Sequence, residues 1–209
     1  MLSSKISHNG PTSGFIPYWI GRVWMWFFNW DLVGQVPVGK KFVLIAAPHT
    51  SNWDLPFGLA ALYIYRLKVS WLGKDTIFKA PFGRLMRWLG GIAINRDSQL
   101  GVADQIARQL KESRKLIIAI APSGTRKRGE YWKSGFYWIA YKAQVPILCG
   151  YLDYAHRKAC LGLCFFPTGS VKEDMDRIRN FYKNIQGKNP KEASRIRLRK
   201  EDKNAVYTS

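Results

Sequence analysis

Short apolar runs alternate with amphipathic stretches along most of the chain after Pro37. The runs lie at residues 42–47, 69–72, 92–94, 116–120, 146–149 and 161–166. Apolar residues at helical spacing fill the intervals, with candidate helices at 55–65, 82–89, 102–110, 135–143 and 175–185. Buried strands that alternate with helices are typical of a largely parallel sheet flanked by helices on both faces. The pattern therefore predicts an α/β domain over residues 37–186, followed by a polar, flexible tail over 187–209.

The N-terminal region follows a different pattern. Residues 15–30 contain eight aromatic side chains in sixteen positions, and Pro17, Gly21 and Arg22 interrupt the apolar run. The run is shorter than the roughly 20 residues of a membrane-spanning helix. Because Trp and Tyr favour the membrane–water interface, residues 1–36 are predicted to form an interfacial or re-entrant membrane-anchoring segment. The alternative is a core helix packed on the domain.

The charge of the chain limits the partners it can have. Lys and Arg number 33 against 14 Asp and Glu, a formal net charge of +19. An apolar fraction of 47% excludes a disordered polycation, so the charge lies on the surface of a folded body. Such a surface attracts nucleic acid, an anionic membrane or a phosphorylated small molecule. The three cysteines, odd in number and without a CxxC pair, indicate neither a disulfide framework nor a zinc site.

Candidate catalytic residues follow the first apolar run. In a parallel α/β sheet, functional side chains gather in the loops after the carboxyl ends of strands. His49 and Asp54 are five residues apart, so they do not stack on one helix face, but they can meet across a loop that turns into the next helix. A carboxylate that orients an imidazole makes a general base near neutral pH. The alternative is a polar loop in which Asp54 only caps the helix.

The loop after the fourth apolar run has the composition of a phosphate site. Gly124 allows close backbone approach, Thr125 supplies a hydroxyl, and Arg126 begins a run of three cations. Phosphate binds backbone N–H groups and guanidinium donors, although the spacing here is not that of a Walker A loop. The alternative is a solvated basic turn. Two further cations near apolar runs, Lys74 and Arg96, are ordinary surface residues when each is taken alone.

The order of these motifs resembles the glycerolipid acyltransferase family, whose members include 1-acylglycerol-3-phosphate acyltransferases. The matching blocks are a His-x4-Asp motif at His49 and Asp54, Gly-Gly-Ile-Ala-Ile-Asn-Arg ending at Arg96, Ser-Gly-Thr-Arg at 123–126, and Val-Pro-Ile at 145–147. All four blocks of the family are present in order. The resemblance spans roughly half of the chain.

The resemblance implies a fold, a reaction and a location. The fold is an α/β domain with an N-terminal helical anchor, membrane-associated at the cytoplasmic face and seated on an anionic membrane surface. The reaction moves a fatty acyl group from a thioester donor, acyl-CoA or acyl carrier protein, to a hydroxyl of a lysophospholipid acceptor such as 1-acylglycerol-3-phosphate. No cofactor beyond that co-substrate and no metal are implied.

The resemblance also implies a role for each candidate residue. His49 would remove the proton of the acceptor hydroxyl, and Asp54 would orient His49. No serine or cysteine acyl-enzyme is needed, in keeping with the absence of a GxSxG motif. The acceptor phosphate would be held by Gly124, Thr125 and Arg126, with Arg96 and Lys74.

One position departs from the family pattern. Ser123 stands where the third block usually has glutamate, which keeps a hydrogen-bonding group and loses the charge. A different lysolipid is therefore an alternative acceptor, and a non-catalytic lipid-binding relative is an alternative function. A nucleic-acid-binding protein is a third alternative, but the sequence lacks RRM, KH, zinc-finger and helix-turn-helix signatures.

Overall fold

One sheet runs through the computed structural model, which describes residues 10–74, 78–81, 83–88, 90–94 and 101–205. Within these residues the strands are β1 (Asp31–Gly34), β2 (Lys41–Ala46), β3 (Ser70–Lys74), β4 (Gly91–Ile94), β5 (Leu116–Ile120), β6 (Ile147–Asp153) and β7 (Lys158–Phe165). The helices are α1 (Phe15–Phe27), α2 (Asp54–Ile64), α3 (Gly83–Trp88), α4 (Val102–Glu112), α5 (Gly135–Ala143), α6 (Val171–Tyr182) and α7 (Arg199–Ala205).

Parallel pairing dominates the sheet, whose strand order is β1-β7-β6-β2-β5-β3-β4. β2 lies in the middle, with Val43 opposite Ile118 of β5 and Ile147 of β6 in parallel register. Among the described strands, only β6 and β7 pair in antiparallel fashion, across the short turn 154–157. Because β2, β3, β4, β5 and β6 run in the same direction, the loops that follow them lie along one edge of the sheet.

Burial on both faces explains the continuous apolar strands. In β2, Phe42 and Leu44 face one core, Val43 and Ile45 face the other, and all four side chains are buried. Helices α1 and α2 close the first core, and α4, α5 and α6 close the second. The largely parallel sheet with helices on both faces confirms the predicted α/β architecture.

Helix α1 packs one side on α2 and leaves the other side exposed. Tyr18, Gly21 and Met25 are buried, and a Cβ at Gly21 would lie 2.5 Å from the carbonyl oxygen of Ala60, so glycine allows the close helix approach. The opposite side, the apolar face of α1, leaves 52–80% of each large side chain exposed: Phe15, Ile16, Trp19, Ile20, Val23, Trp26 and Phe27. None of the helices in the described ranges combines the length and the hydropathy needed to cross a bilayer.

Strand β1 lies in a region where the sequence predicts only the membrane-anchoring segment. Residues 31–34 pair in parallel with residues 158–161 of β7 at the edge of the sheet. Four residues reading Asp-Leu-Val-Gly are too few for an apolar run to stand out from its surroundings. The strand forms because β7 offers it a free edge, which is a tertiary effect.

The polar segment from residue 187, expected to be a flexible tail, makes specific contacts with the domain. The backbone of Trp132 forms an isolated parallel β-bridge with Leu198, and the side chain of Leu198 is buried. Arg179 of α6 pairs with Glu201 of α7 at 2.7 Å. Leu198 is an isolated apolar residue, and the other contacts use backbone groups and charges, so no apolar periodicity marks them.

Candidate active site

The loop between β2 and α2 brings His49 and Asp54 together. β2 ends at Ala46, and Asp54 is the first residue of α2. The loop folds back so that Nδ1 of His49 lies 2.9 Å from Oδ2 of Asp54. The amides of Thr50 and Ser51 donate to the same oxygen, at 2.8 and 3.0 Å. These bonds fix the loop around a carboxylate that also lies at the positive end of a helix.

A tyrosine distant in sequence completes the surroundings of Asp54. Tyr154, in the turn between β6 and β7, donates its hydroxyl to Oδ1 of Asp54 at 2.9 Å. Burial alone would raise the pKa of Asp54, but hydrogen bonds from His49, from two loop amides and from Tyr154 outweigh it, and the pKa is lowered. Burial and the nearby Asp54 raise the pKa of Tyr154 well above its ordinary value, so Tyr154 remains a donor.

The ionised carboxylate sets the tautomer of the imidazole. A carboxylate without a proton only accepts hydrogen bonds, so the neutral ring of His49 presents its proton at Nδ1 and leaves Nε2 free to accept one. The side chain of His49 is 28% exposed, whereas that of Asp54 is 8% exposed. The geometry therefore suits a general base whose reactive nitrogen can be reached and whose partner is shielded.

An apolar cavity opens beside this pair. It has a volume of about 220 Å³, lies between α2 and the sheet, and includes His49 and Asp54 in its wall. Most of the remaining wall is apolar, with contributions from Leu44, Leu55, Leu59, Leu62, Val69 and Leu161. Such a cavity suits a hydrocarbon chain, because a polar group placed there would lose its water without gaining partners.

A basic loop, residues 121–129, follows β5 at the same edge of the sheet. Ala121 lines the same cavity as His49, so the two loops border a common space. Arg126 and the two cations after it are exposed. Among the described residues, no carboxylate forms a salt bridge with these three side chains. Their charge is therefore available to an anion.

Hydrogen bonds between residues that are close in sequence shape the basic loop. Gly124 has a φ of +65°, a left-handed conformation that favours glycine. The hydroxyl of Ser123 donates to the carbonyl oxygen of Thr125 at 2.8 Å, and the hydroxyl of Thr125 accepts from the amide of Lys127 at 3.2 Å. Ser123 thus closes a turn inside the loop instead of presenting a charge.

The protein family follows from comparison with known proteins. A family model described as Acyltransferase matches residues 32–153, a range that includes the His–Asp loop (residues 47–54), most of the cavity wall and the basic loop. The chain belongs to the acyltransferase family. The prediction of an acyltransferase enzyme is therefore confirmed.

A solved structure similar to this acyltransferase is the 1-acyl-sn-glycerophosphate (LPA) acyltransferase PlsC from Thermotoga maritima. The two superpose with a TM-score of 0.53, over 83% of this chain and 80% of that one, at 18% sequence identity. At that identity the likeness is one of fold. No curated protein matches the sequence.

The remaining predicted residues of the acyltransferase lie around the same edge of the sheet where the structure describes them. Lys74 is the last residue of β3, which pairs in parallel with β5. Arg96 lies outside the described residues. The structure thus brings Gly124, Thr125 and Arg126 to the edge that carries the His–Asp pair, and their part in phosphate binding remains a prediction.

A C-terminal strap, residues 186–198, holds the His–Asp loop of the acyltransferase in place. The backbone amide of Asn189 donates to Oγ1 of Thr50 at 3.1 Å, and its side-chain Nδ2 donates to the carbonyl oxygen of Thr50 at 2.9 Å. Gly187 packs so tightly that a Cβ there would lie 2.6 Å from Oγ1 of Thr50. The amide of Tyr154 also donates to the carbonyl oxygen of Gln186, at 2.9 Å.

The same strap continues to the basic loop. Glu192 accepts a hydrogen bond from the amide of Arg128 at 3.1 Å, and Ser194 accepts one from the amide of Gly129 at 2.9 Å. One segment therefore connects the two loops at the carboxyl edge of the sheet. Its contacts with the two loops use backbone groups and polar side chains, so no apolar pattern in the sequence signals this role.

Proposed function

We propose that this acyltransferase moves a fatty acyl group from the thioester of coenzyme A or acyl carrier protein to a hydroxyl of a lysophospholipid such as 1-acylglycerol-3-phosphate. The observation that carries the proposal is the His49–Asp54 pair in the wall of an apolar cavity. A base beside a space for hydrocarbon suits a reaction that joins an acyl chain to a hydroxyl. The fold shared with a 1-acyl-sn-glycerophosphate acyltransferase supports the same choice.

His49 acts as the general base in this mechanism. Nε2 removes the proton of the acceptor hydroxyl while its oxygen attacks the carbonyl carbon of the thioester. The tetrahedral intermediate then expels the thiolate as the carbon–sulfur bond breaks, and the thiolate takes up the proton held by His49. Asp54 stabilises the imidazolium and keeps the ring oriented, because its own pKa is lowered and it stays ionised. Such assistance contributes on the order of 10²–10⁴-fold to the rate.

The cavity between α2 and the sheet receives the acyl chain. Each methylene group moved from water into its apolar wall contributes about 0.8 kcal/mol. Binding energy from this remote part of the substrate positions the thioester carbonyl next to Nε2 of His49, and positioning of this kind lowers the barrier further.

The basic loop binds the acceptor phosphate. Arg126 offers a guanidinium fork, Thr125 a hydroxyl and Gly124 a backbone that approaches closely. Lys74 and Arg96 add positive charge in this proposal. Ser123 favours a second candidate acceptor, a lysophospholipid other than lysophosphatidic acid, because the family's usual negative charge is missing there.

The apolar face of α1 seats the enzyme on the membrane, at the cytoplasmic face in this proposal. Trp and Phe side chains exposed on one side of a helix partition into the headgroup region. The net charge of +19 adds attraction to anionic lipids, so binding is expected to weaken with salt but to persist through the apolar face.

An acceptor screen tests the proposal. Purified enzyme in detergent micelles receives a labelled long-chain acyl-CoA or acyl carrier protein donor. The acceptors are lysophosphatidic acid, other lysophospholipids and glycerol 3-phosphate. Acylation of one lysophospholipid class supports the proposal, and no acylated lysolipid with either donor would reject it.

A matched pair of variants tests the phosphate site in the same assay. Arg126→Gln is expected to raise KM for a phosphorylated acceptor about tenfold, the loss of one charge-assisted contact. Arg114→Gln is the control, because Arg114 is an exposed arginine that precedes β5 at the opposite end of the strand. Equal KM values for the two variants would exclude Arg126 from acceptor binding.

A further inference from the structure

A second cavity lies next to the His–Asp loop and combines aromatic rings with two cations. It has a volume of about 430 Å³, and six aromatic side chains line it. We name it the aromatic cup, and its lining includes Phe27, Phe28, Trp53, Tyr154, Arg157 and Lys188. The cup is separate from the apolar cavity, because the two have no lining residue in common.

The fold places both cations at the cup. Lys188 lies within the strap between Gly187 and Asn189, and its Nζ is 4.7 Å from the ring centroid of Trp53. Arg157 has a φ of +51°, and its carbonyl oxygen accepts from the amide of Asp31 at 2.9 Å, so the turn that carries it is tied to β1. Residues distant in sequence thus bring two positive charges to one concave surface.

Within the described ranges, no carboxylate forms a salt bridge with Arg157 or Lys188. The lining residues of the cup include no Asp or Glu. The aromatic rings place apolar surface beside the two cations, and the net positive charge of the lining attracts an anion. The cup therefore has the chemistry of a site for a phosphate.

The position of the cup indicates which phosphate it takes. Phe27 and Phe28 line the cup and also line the groove along the apolar face of α1. A ligand in the cup therefore has its anionic group beside the cations and an apolar surface directly alongside. A glycerophospholipid offers both an anionic phosphate and apolar chains, whereas a free phosphate uses only the cations.

We propose that the aromatic cup binds the headgroup phosphate of a glycerophospholipid whose acyl chains lie along the apolar face of α1. This site is distinct from the basic loop proposed to receive the acceptor, and its existence does not depend on which acceptor the enzyme acylates. Trp53 directly precedes Asp54 in sequence, and the hydroxyl of Tyr154 donates a hydrogen bond to the carboxylate of Asp54. A lipid in the cup therefore contacts Tyr154, which supports the carboxylate of Asp54.

A short-chain phospholipid below its micellar concentration tests the cup without a charged surface. We expect dihexanoyl phosphatidylglycerol to bind the wild-type chain saturably in isothermal titration. In the double variant Arg157→Asn, Lys188→Gln, binding at this site should weaken about tenfold or more, the effect of losing two cationic contacts. Asn is chosen at residue 157 because it tolerates the left-handed conformation. Both positions are exposed, so the fold should be retained, which circular dichroism checks.

The matched control is the double variant Lys172→Gln, Lys183→Gln. It removes the same amount of charge from exposed positions at the two ends of α6. The control should bind like the wild type. Equal binding by both double variants overturns the proposal, and so does inorganic phosphate that binds the wild type as tightly as the lipid at equal ionic strength. The titration needs no turnover, so its failure is distinguishable from a failure to acylate lysophospholipids.

Discussion

The hydroxyl of Tyr154 and the carboxylate of Asp54 are hydrogen-bonded at 2.9 Å, although 100 residues separate them in the chain. The turn between β6 and β7 thereby supports the residue that orients His49. Together with two loop amides and the imidazole, this bond satisfies both oxygens of the carboxylate. The orientation of the His49 imidazole thus depends on an element outside the loop that contains it.

Tyr154→Phe should raise the pKa of Asp54, because one of the hydrogen bonds that lower it is lost. Carbon NMR titration of the carboxyl group measures the change. We expect kcat to fall about tenfold with little change in acceptor KM, since one hydrogen bond to a charged group is removed. Tyr137→Phe is the control, because Tyr137 donates to Asp174 at the same distance of 2.9 Å in the other core. An unchanged pKa of Asp54 in Tyr154→Phe contradicts this account.

Gly187→Ala should lower kcat and stability together. A Cβ at residue 187 would lie 2.6 Å from Oγ1 of Thr50, so either the strap or the His–Asp loop must shift. Crowding of this kind costs about 1–3 kcal/mol in thermal or urea unfolding. Gly39→Ala is the matched control, because nothing lies within 4 Å of a Cβ there. Equal activity and stability in the two variants would show that the strap does not position the loop.

Gly58→Leu should shift the donor preference to shorter acyl chains. Gly58 lines the apolar cavity, and no atom lies within 4 Å of a Cβ built on it. A leucine side chain would occupy space that the chain needs, and each excluded methylene changes kcat/KM about fourfold. A series of acyl-CoA donors of increasing length measures the shift. The same chain-length profile in wild type and variant would place the acyl chain elsewhere.

The stability contributed by Asp54 should vanish at acid pH. Its pKa in the folded protein lies below the ordinary value of 3.8, so its ionised form stabilises the fold above that pH. As the pH falls through the folded-state pKa, the contribution is lost. We therefore expect the difference in unfolding free energy between wild type and Asp54→Asn to shrink below about pH 4. Urea unfolding across this range measures it, and a difference that stays constant with pH would contradict the lowered pKa.

Local patterns predicted the central sheet and the His–Asp loop. β2 and β5 are continuous apolar runs because both of their faces are buried, and His49 meets Asp54 within a single loop. The contact of Asn189 with Thr50 spans 139 residues, so no spacing signals it. β1 was missed because four residues pair only where β7 presents an edge.

Acyl transfer by His49→Ala measures directly whether His49 is the general base. With the acceptor found in the screen and a saturating thioester donor, kcat should fall on the order of 10²–10⁴-fold, while acceptor KM stays within a factor of about three. His156→Ala is the matched control, because His156 also pairs with an aspartate, Asp153, at 2.7 Å but projects from an exposed turn. We expect full activity in the control and near loss of activity in His49→Ala. Equal kcat in the two variants would show that His49 is not the general base.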